Sequence, residues 1–328
     1  VRSPQDTTHQ TAWIVNEFGD PAEVLTHATT DVPTPRDGQT LVEVRTSGVN
    51  FADGLVCEGT YQHQPSPPLV PGIEVVGVIA GTSQRVVGTT VGGHGAWAQF
   101  ALAREADLFP ISDEVDDATA AASHVVFQTA WIALHHRARL SAGDTVVVQA
   151  AAGATGSAAL QVALDAGATV VGVAGGPDKV AAIRSAGAHL ALDHRSDDVV
   201  AAVRDLTGGR GADIAYDPVG SATLETSRRC LSFEGRLLVM GFASGGPAPT
   251  VAANHLLVRN LDVVGVAWPA YRDHRPDLVA DAQRSIDTRL ADGRFAPLVA
   301  GVRPMSEACD ALGDLRSGTT VGKWVLRN

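Results

Sequence analysis

Ala150-Ala-Ala-Gly153-Ala-Thr-Gly156 follows the apolar run Asp144-Thr-Val-Val-Val-Gln149 and opens a stretch of helical spacing, Ser157 to Asp165. Glycines so placed suit a diphosphate, because the helix start offers unpaired N–H groups and the missing side chains let an anion approach the backbone. The first fingerprint position, usually glycine, is Ala150, and Ala154-Thr155 stand between the two glycines. A chain with 34 glycines makes such spacings by chance, so the strand-turn-helix context carries the argument. About 20 residues further on, a site for an unphosphorylated ribose would place an Asp or Glu. Here the next strand ends Ala174-Gly175-Gly176 and Lys179 follows. An ammonium attracts a 2′-phosphate and an acid repels it, so this pattern predicts NADPH. The competing reading makes Lys179 a solvated residue in a first helical turn, its field diluted by Asp178.

Metal and thiol chemistry find no comparable pattern. Cys57, Cys230 and Cys309 lie far apart with no Cys-x-x-Cys, so neither a disulfide framework nor a structural zinc lobe is expected. Thiols used this way fit small core residues in a reducing compartment, the cytoplasm. The eleven histidines show no ligand spacing; His135 and His136 are adjacent, and on a helix they diverge by about 100°.

The elements needed to present these residues follow from periodicity. Gln39 to about Phe109 alternates apolar and polar residues between Gly and Pro, as in Thr40-Leu-Val-Glu-Val-Arg45 and Ala98-Gln-Phe-Ala-Leu-Ala103. This predicts an antiparallel, barrel-like region, with a loop where Pro65, Pro67, Pro68 and Pro71 cluster. Asp117 to Ala138 reads as helix. Beyond it, strands at 144–149, 169–174, 189–192, 212–216, 235–240 and 261–266 alternate with helices, including 177–186 and 197–206. Six such strands predict a doubly wound parallel sheet of the dinucleotide-binding kind. A helix over about 275–291 and a closing strand at 323–326 complete the chain. The simplest organisation inserts the nucleotide domain, 122–267, between two parts of a first domain, 1–121 and 268–328, with the site in the cleft between them.

Composition narrows the partners. Acids number 36 against 25 Lys plus Arg, a net charge of −11 that disfavours a nucleic-acid backbone as ligand. No apolar run approaches the ~18 residues of a membrane span. The polar start, Val1 to Gln10, lacks the order of a secretory signal.

At this level the chain resembles the zinc-independent quinone oxidoreductase (zeta-crystallin-like) branch of the medium-chain dehydrogenase/reductase superfamily. The resemblance runs from about Val42 to Leu326 and rests on ordered short matches. These are Ser47-Gly-Val-Asn-Phe-Ala-Asp53, Gly59-Thr-Tyr61, Pro71-Gly-Ile-Glu74-Val-Val-Gly77, Thr129-Ala-Trp131, the fingerprint, Asp193-His194-Arg195, Gly241-Phe242, Gly265-Val266 and Gly322-Lys323. It implies a GroES-like β-barrel catalytic domain interrupted by a Rossmann domain. Zinc-dependent members carry a Cys and a His where this chain has Asn50 and Ile73, and neither an amide nor an aliphatic side chain replaces those ligands. The expectation is therefore no metal.

What the resemblance implies for activity is hydride transfer from NADPH to a quinone or an α,β-unsaturated carbonyl, an acceptor whose π system is already electron-poor. By the same resemblance Asn50 and Thr129 lie near the nicotinamide and Tyr61 borders the substrate pocket. Asn50 is either a donor to a carbonyl oxygen or a turn residue. Tyr61 is either an acid or a pocket wall. Gly153, Ala154, Thr155 and Gly156 hold the diphosphate. Gly175, Lys179 and His194 serve the 2′-phosphate end, with Gly176 where a Ser is common. Gly241, Phe242, Val266 and Trp268 surround the nicotinamide half, and Lys323 is a late basic residue near the cofactor. Two alternatives stay open: an enoyl-thioester (CoA or carrier-protein) reductase, for which Arg272 and Arg275 are candidate contacts, and a non-catalytic NADPH-binding protein. The last Rossmann strand, Leu261 to Val266, implies a homodimer formed along a sheet edge.

Overall fold

The computed structural model describes residues 8–62, 64–245 and 249–328; most of the polar start and His63 of the proline-rich loop lie outside them. The chain divides into two compact units, Val1–Val125 with Ala296–Asn328, and Val126–Phe295.

The first unit begins with a hairpin, β1 (His9–Val15) and β2 (Leu25–Asp31), joined across α1 (Pro21–Val24). There follow β3 (Gln39–Gly48), α2 (Phe51–Glu58), β4 (Glu74–Ile79), β5 (Arg85–Thr90), β6 (Phe100–Pro110) and α3 (Asp117–Trp131). β4 and β5 pair with their sequence neighbours, and β3 pairs with both β4 and β6, so the sheet closes on itself as the alternation predicts. The filling is aliphatic with one large aromatic: Val42, Val44, Val75, Val86 and Trp97 are all buried. Among its described residues the proline-rich loop has no regular structure apart from a single bridge at Leu69. Helix α2 was not expected within this β-rich run. Asn50 caps it, Asp53 accepts the cap N–H at 2.7 Å, and Gly59 ends it in the left-handed region at φ 74°.

In the second unit α3 widens into a π-helical turn, Ile132–Arg137. Then come β7 (Thr145–Val148), α4 (Ala154–Asp165), β8 (Thr169–Ala174), α5 (Pro177–Ser185), β9 (Leu190–Asp193), α6 (Val199–Leu206), β10 (Ala212–Asp217), α7 (Ser221–Cys230), β11 (Leu231–Val239), α8 (Ala253–Arg259) and β12 (Asp262–Gly265). All pairings are parallel, in the order β12-β11-β10-β7-β8-β9. Relabelled from β7 as 1 to β12 as 6, this is 3-2-1-4-5-6 read from the β9 edge, the doubly wound order. Every residue of β7 is buried, as a strand covered on both faces requires.

The helices α9 (Trp268–His274) and α10 (Pro276–Ala291) pack with this second unit, although 268–328 was expected to return to the first. The reason is a buried polar link: Gln128 on α3 donates to Gln283 on α10 at 2.6 Å, and Trp268 donates to Gln128 at 3.0 Å. Only β13 (Val299–Pro304), α11 (Ala308–Arg316) and β14 (Lys323–Arg327) rejoin the first unit, where β14 pairs with β3.

Candidate cofactor and active site

In the second unit the expected residues gather where the parallel strands end. After β7 the chain turns through Ala150, whose φ of 50° puts a non-glycine residue in the left-handed region. Gly153 then caps α4, and the first bond back along the helix runs from Ser157 N–H to the Gly153 carbonyl, 2.8 Å. The N–H groups of Ala154, Thr155 and Gly156 thus stand at the open helix start. The two glycines do different work. A Cβ on Gly156 would lie 2.2 Å from the Ala150 carbonyl oxygen, so the turn itself requires that glycine. A Cβ on Gly153 would meet nothing nearer than that oxygen at 3.4 Å. What Gly153 keeps clear is the surface outside the turn, the opening a diphosphate needs.

The second strand ends in another two-glycine turn. Gly176, at φ 96°, caps α5, and its N–H donates to Asp193 Oδ2 at 3.0 Å. The same carboxylate accepts the Arg195 N–H at 3.0 Å, and these two bonds hold Asp193 below the usual carboxylate range. Over the turn lie His194 and Arg195: a Cβ on Gly175 would fall 2.7 Å from His194 Nε2 and 2.9 Å from Arg195 Nε. Lys179, half-buried on α5, has its pKa lowered by burial first and by the Arg195 charge second. His194 is therefore brought over the turn that starts α5, the helix that carries Lys179. Arg195 joins them, and the sequence reading assigned it no role.

Gly241 and Phe242 follow β11 and are tied to the turn after β10 through Ala243 N–H to the Pro218 carbonyl. That turn is organised by Asp217, fully buried, which accepts from the N–H groups of Val219 and Gly220 and the hydroxyls of Thr223 and Ser227 at 2.7–2.9 Å. Val266 N–H donates to the Val239 carbonyl. Thr129 is half-buried on α3 beside Gln128, the residue that receives the Trp268 indole N–H. The bonds continue from Gln283 Nε2 to Asp287, where burial pushes the carboxyl up to about 6.

The first unit collects a second group of residues. Asn50 Nδ2 faces the Gly48 carbonyl at 3.2 Å and Glu74 Oε2 at 3.4 Å. Both partners are acceptors, so the amide nitrogen is turned toward them, while the same side chain serves the start of α2 as its cap. Lys323 is 1 % exposed and its ammonium is bonded to the same Glu74 oxygen, so the late basic residue sits in the interior. Asp53, fully buried, accepts from Asn50 N–H and, at 3.1 Å, from Ile73 N–H. Burial pushes its carboxyl up to about 7, against the pull of those amides and of Lys323. One carboxylate therefore clamps the two positions that carry metal ligands in zinc-dependent members. Its signal in the sequence was the Asn50-x-x-Asp53 spacing of a helix start. Tyr61 is half-buried against the cluster of Val15, Val56, Cys57 and Leu69.

His135 and His136 stay outside these groups: His135 stacks on Trp131 at 4.3 Å and His136 meets Tyr271 edge-on at 5.9 Å. All three cysteines are free thiols.

Known proteins with this organisation are numerous. A family model described as "Alcohol dehydrogenase GroES-like domain" matches residues 36–113, and one described as "Zinc-binding dehydrogenase" matches residues 154–284. The quinone oxidoreductase-like protein 2 homolog of Nematostella vectensis is 33 % identical over 96 % of this chain and 88 % of its own. The chain belongs to the quinone oxidoreductase-like branch of the medium-chain dehydrogenase/reductase family. Two solved quinone oxidoreductases support the assignment in three dimensions. That of Escherichia coli, in complex with NADPH, is 26 % identical, with a TM-score of 0.89 over 97 % of this chain and all of its own. That of Thermus thermophilus, described alone and with NADPH, is 32 % identical, with a TM-score of 0.84 over the same shares.

Ala150 stands where the general dinucleotide fingerprint has a glycine, yet its backbone adopts the left-handed turn that a glycine would take more readily. The departure costs on the order of 1 kcal/mol in backbone strain and leaves the helix start in place.

Proposed function

We propose that this chain is an NADPH-dependent oxidoreductase that delivers hydride to a quinone or an α,β-unsaturated carbonyl without zinc. The observation that carries the reading is the Gly175–Gly176 turn: His194 and Arg195 lie over it, the Arg195 charge reaches Lys179 on α5, and the adjoining carboxylate, Asp193, is engaged by two backbone N–H groups. An ammonium and an imidazole at the end of the second strand suit a 2′-phosphate. Gly153 to Gly156 offer their N–H groups to the diphosphate. Thr129, Gly241, Phe242, Val266 and Trp268 take the nicotinamide half by family resemblance. Bound NADPH supplies the hydride. By the same resemblance Asn50, whose amide nitrogen is held by Gly48 and Glu74, would lie near the nicotinamide. Tyr61 forms pocket wall.

Zinc does not fit these residues. The first and second ligand positions are an amide and an aliphatic side chain, and the ammonium of Lys323 already neutralises Glu74. An acceptor that is electron-poor at the outset needs no Lewis acid, only orientation. The thioester reading gains little from its basic candidates: Arg275 is paired with Asp277 at 2.9 Å and Arg272 lies over the Trp268 ring at 5.5 Å.

Self-association along β12 belongs to the same reading. This edge strand exposes Val263, and the adjoining α8 buries none of its residues, leaving Leu257 and Val258 more than three-quarters exposed. A second copy of the chain is the partner that an unpaired, apolar edge suits. The free thiols fit a reducing compartment such as the cytoplasm.

The test is oxidation of NADPH and of NADH with a simple benzoquinone, a conjugated enone and crotonyl-CoA. Faster turnover of NADPH with the quinone or enone is expected. An NADH preference overturns the cofactor assignment. Crotonyl-CoA as the best acceptor by far replaces the substrate class with enoyl thioesters, and NADPH binding without turnover of any acceptor makes the chain a binding protein.

A further inference from the structure

We propose that Arg195 supplies a second cation to the 2′-phosphate pocket, occupying the space left by the glycine at position 176; the inference rests on the NADPH reading above. Related chains commonly have a Ser at this position, whose hydroxyl Gly176 lacks. The structure shows what replaces that side chain. A Cβ built on Gly176 would lie 3.3 Å from Arg195 Nη1, and one on Gly175 would lie 2.9 Å from Nε and 3.3 Å from Cζ. The guanidinium lies across both glycines, and any side chain at 175 would displace it.

The approach of Arg195 is fixed from below. Asp193 takes the Arg195 N–H with one oxygen and the Gly176 N–H with the other, each at 3.0 Å. That single carboxylate joins the start of α5 to the end of β9, so Arg195 leaves the backbone at a set place relative to the turn. Both oxygens of Asp193 are engaged with backbone, and Arg195 makes no ion pair among the described residues. In the same unit Arg210 and Arg228 are each held by a nearby carboxylate at 2.5 Å, Asp213 and Glu225 respectively. The Arg195 charge acts on two neighbours: it helps to hold the Asp193 carboxyl low, and it reaches Lys179. The guanidinium depresses the proton affinity of Lys179 on α5. Two cations held in each other's field cost energy that a phosphate dianion would recover, and the planar fork of arginine matches two phosphate oxygens at once.

Selection for the 2′-phosphate is therefore divided between Lys179 and Arg195. The probes are adenosine 2′,5′-bisphosphate and adenosine 5′-monophosphate, titrated calorimetrically into the full chain and into Arg195→Gln, Arg195→Lys, Lys179→Ala and the Arg195→Gln/Lys179→Ala pair. The wild-type chain should prefer the bisphosphate. Each single loss of charge should weaken that ligand about ten- to hundredfold, as loss of a charged hydrogen bond does, and leave the monophosphate unchanged. Arg195→Lys should retain part of the preference, and the double variant none. A wild type that does not distinguish the probes overturns the NADPH reading itself. A wild type that does, with Arg195→Gln binding the bisphosphate at full affinity, overturns the role of Arg195 alone. Equal weakening of both probes by Arg195→Gln would make the residue merely structural and overturn it too.

Discussion

Replacing Lys323 by Met should destabilise the first unit more than any exposed charge deletion. Lys323 is 1 % exposed and Glu74 0 %, and their side chains are bonded to each other. Removing the ammonium leaves a carboxylate in the interior supported, among the described residues, by the Val125 N–H at 2.9 Å and the Asn50 amide at 3.4 Å. Breaking a buried pair from one side costs about 3–5 kcal/mol, because the remaining charge cannot reach water. Neutralising both sides removes that penalty, so Glu74→Gln/Lys323→Met should return to within about 1–2 kcal/mol of wild type. Urea unfolding followed by tryptophan fluorescence measures this directly, since Trp13, Trp97 and Trp324 all belong to the first unit. The pair is buried, so the effect should also survive high salt, which would abolish a surface contribution. A loss below about 1 kcal/mol in Lys323→Met, or a double variant no better than the single, would refute the reasoning that the pair is a sealed charge unit.

Three further outcomes follow from the geometry. Gly156→Ala should cost about 1–3 kcal/mol and abolish NADPH binding, because its Cβ would meet the Ala150 carbonyl at 2.2 Å; Gly153→Ala, with 3.4 Å of clearance, should fold normally and still bind NADPH poorly, as calorimetry and denaturation together would show. Asp53 titrates at about 7 in the folded chain against 3.8 unfolded, so between roughly pH 4 and 7 the folded state holds the extra proton. Stability is then greatest at the acid end and falls as pH rises, by up to about 1.4 kcal/mol per unit, and the slope should vanish in Asp53→Asn. Val263→Lys should convert a dimer into single chains in sedimentation velocity, and a wild type already sedimenting as one chain disproves the β12 interface.

The nucleotide-binding half was legible because its signals are local. Buried strands of four to six residues rich in β-branched side chains, followed by glycine turns and alanine-rich helices, read the same in one dimension as in three, and the strand order then follows from the connection rules. The first unit was less legible. Phe51-Ala-Asp-Gly-Leu-Val-Cys-Glu58 has no strong helical stripe and carries a mid-helix glycine, so α2 is fixed mainly by its cap at Asn50 and Asp53 and by Gly59. The unit boundary moved from 267 to 295 because an amphipathic helix declares that it has a buried face, not which body buries it. Gln128 and Gln283, which decide the matter for α10, are residue types that usually face water. Within the site, Lys323 and Glu74 are 249 residues apart, and a lone lysine near a chain end gives no hint of burial.

The chain's two lysines show how a structural cation differs from a binding one. Lys323 is enclosed, bonded to a carboxylate, and surrounded so tightly that a Cβ on Gly48 would touch both partners at 2.5–2.6 Å. Its charge is neutralised within the fold, so it can act on a ligand only through what it holds, the Glu74 oxygen and hence the Asn50 amide. Lys179 is half-buried beside Arg195 and His194, and the Asp193 carboxylate at that turn is engaged by backbone. The Arg195 charge acts on Lys179 and on Asp193 alike, and an anion arriving at that turn would meet both cations, which is the role proposed for them. The same contrast explains why replacing Lys323 should be read in unfolding and replacing Lys179 in binding: the first removes a charge enclosed in the fold, the second a charge proposed to meet the ligand.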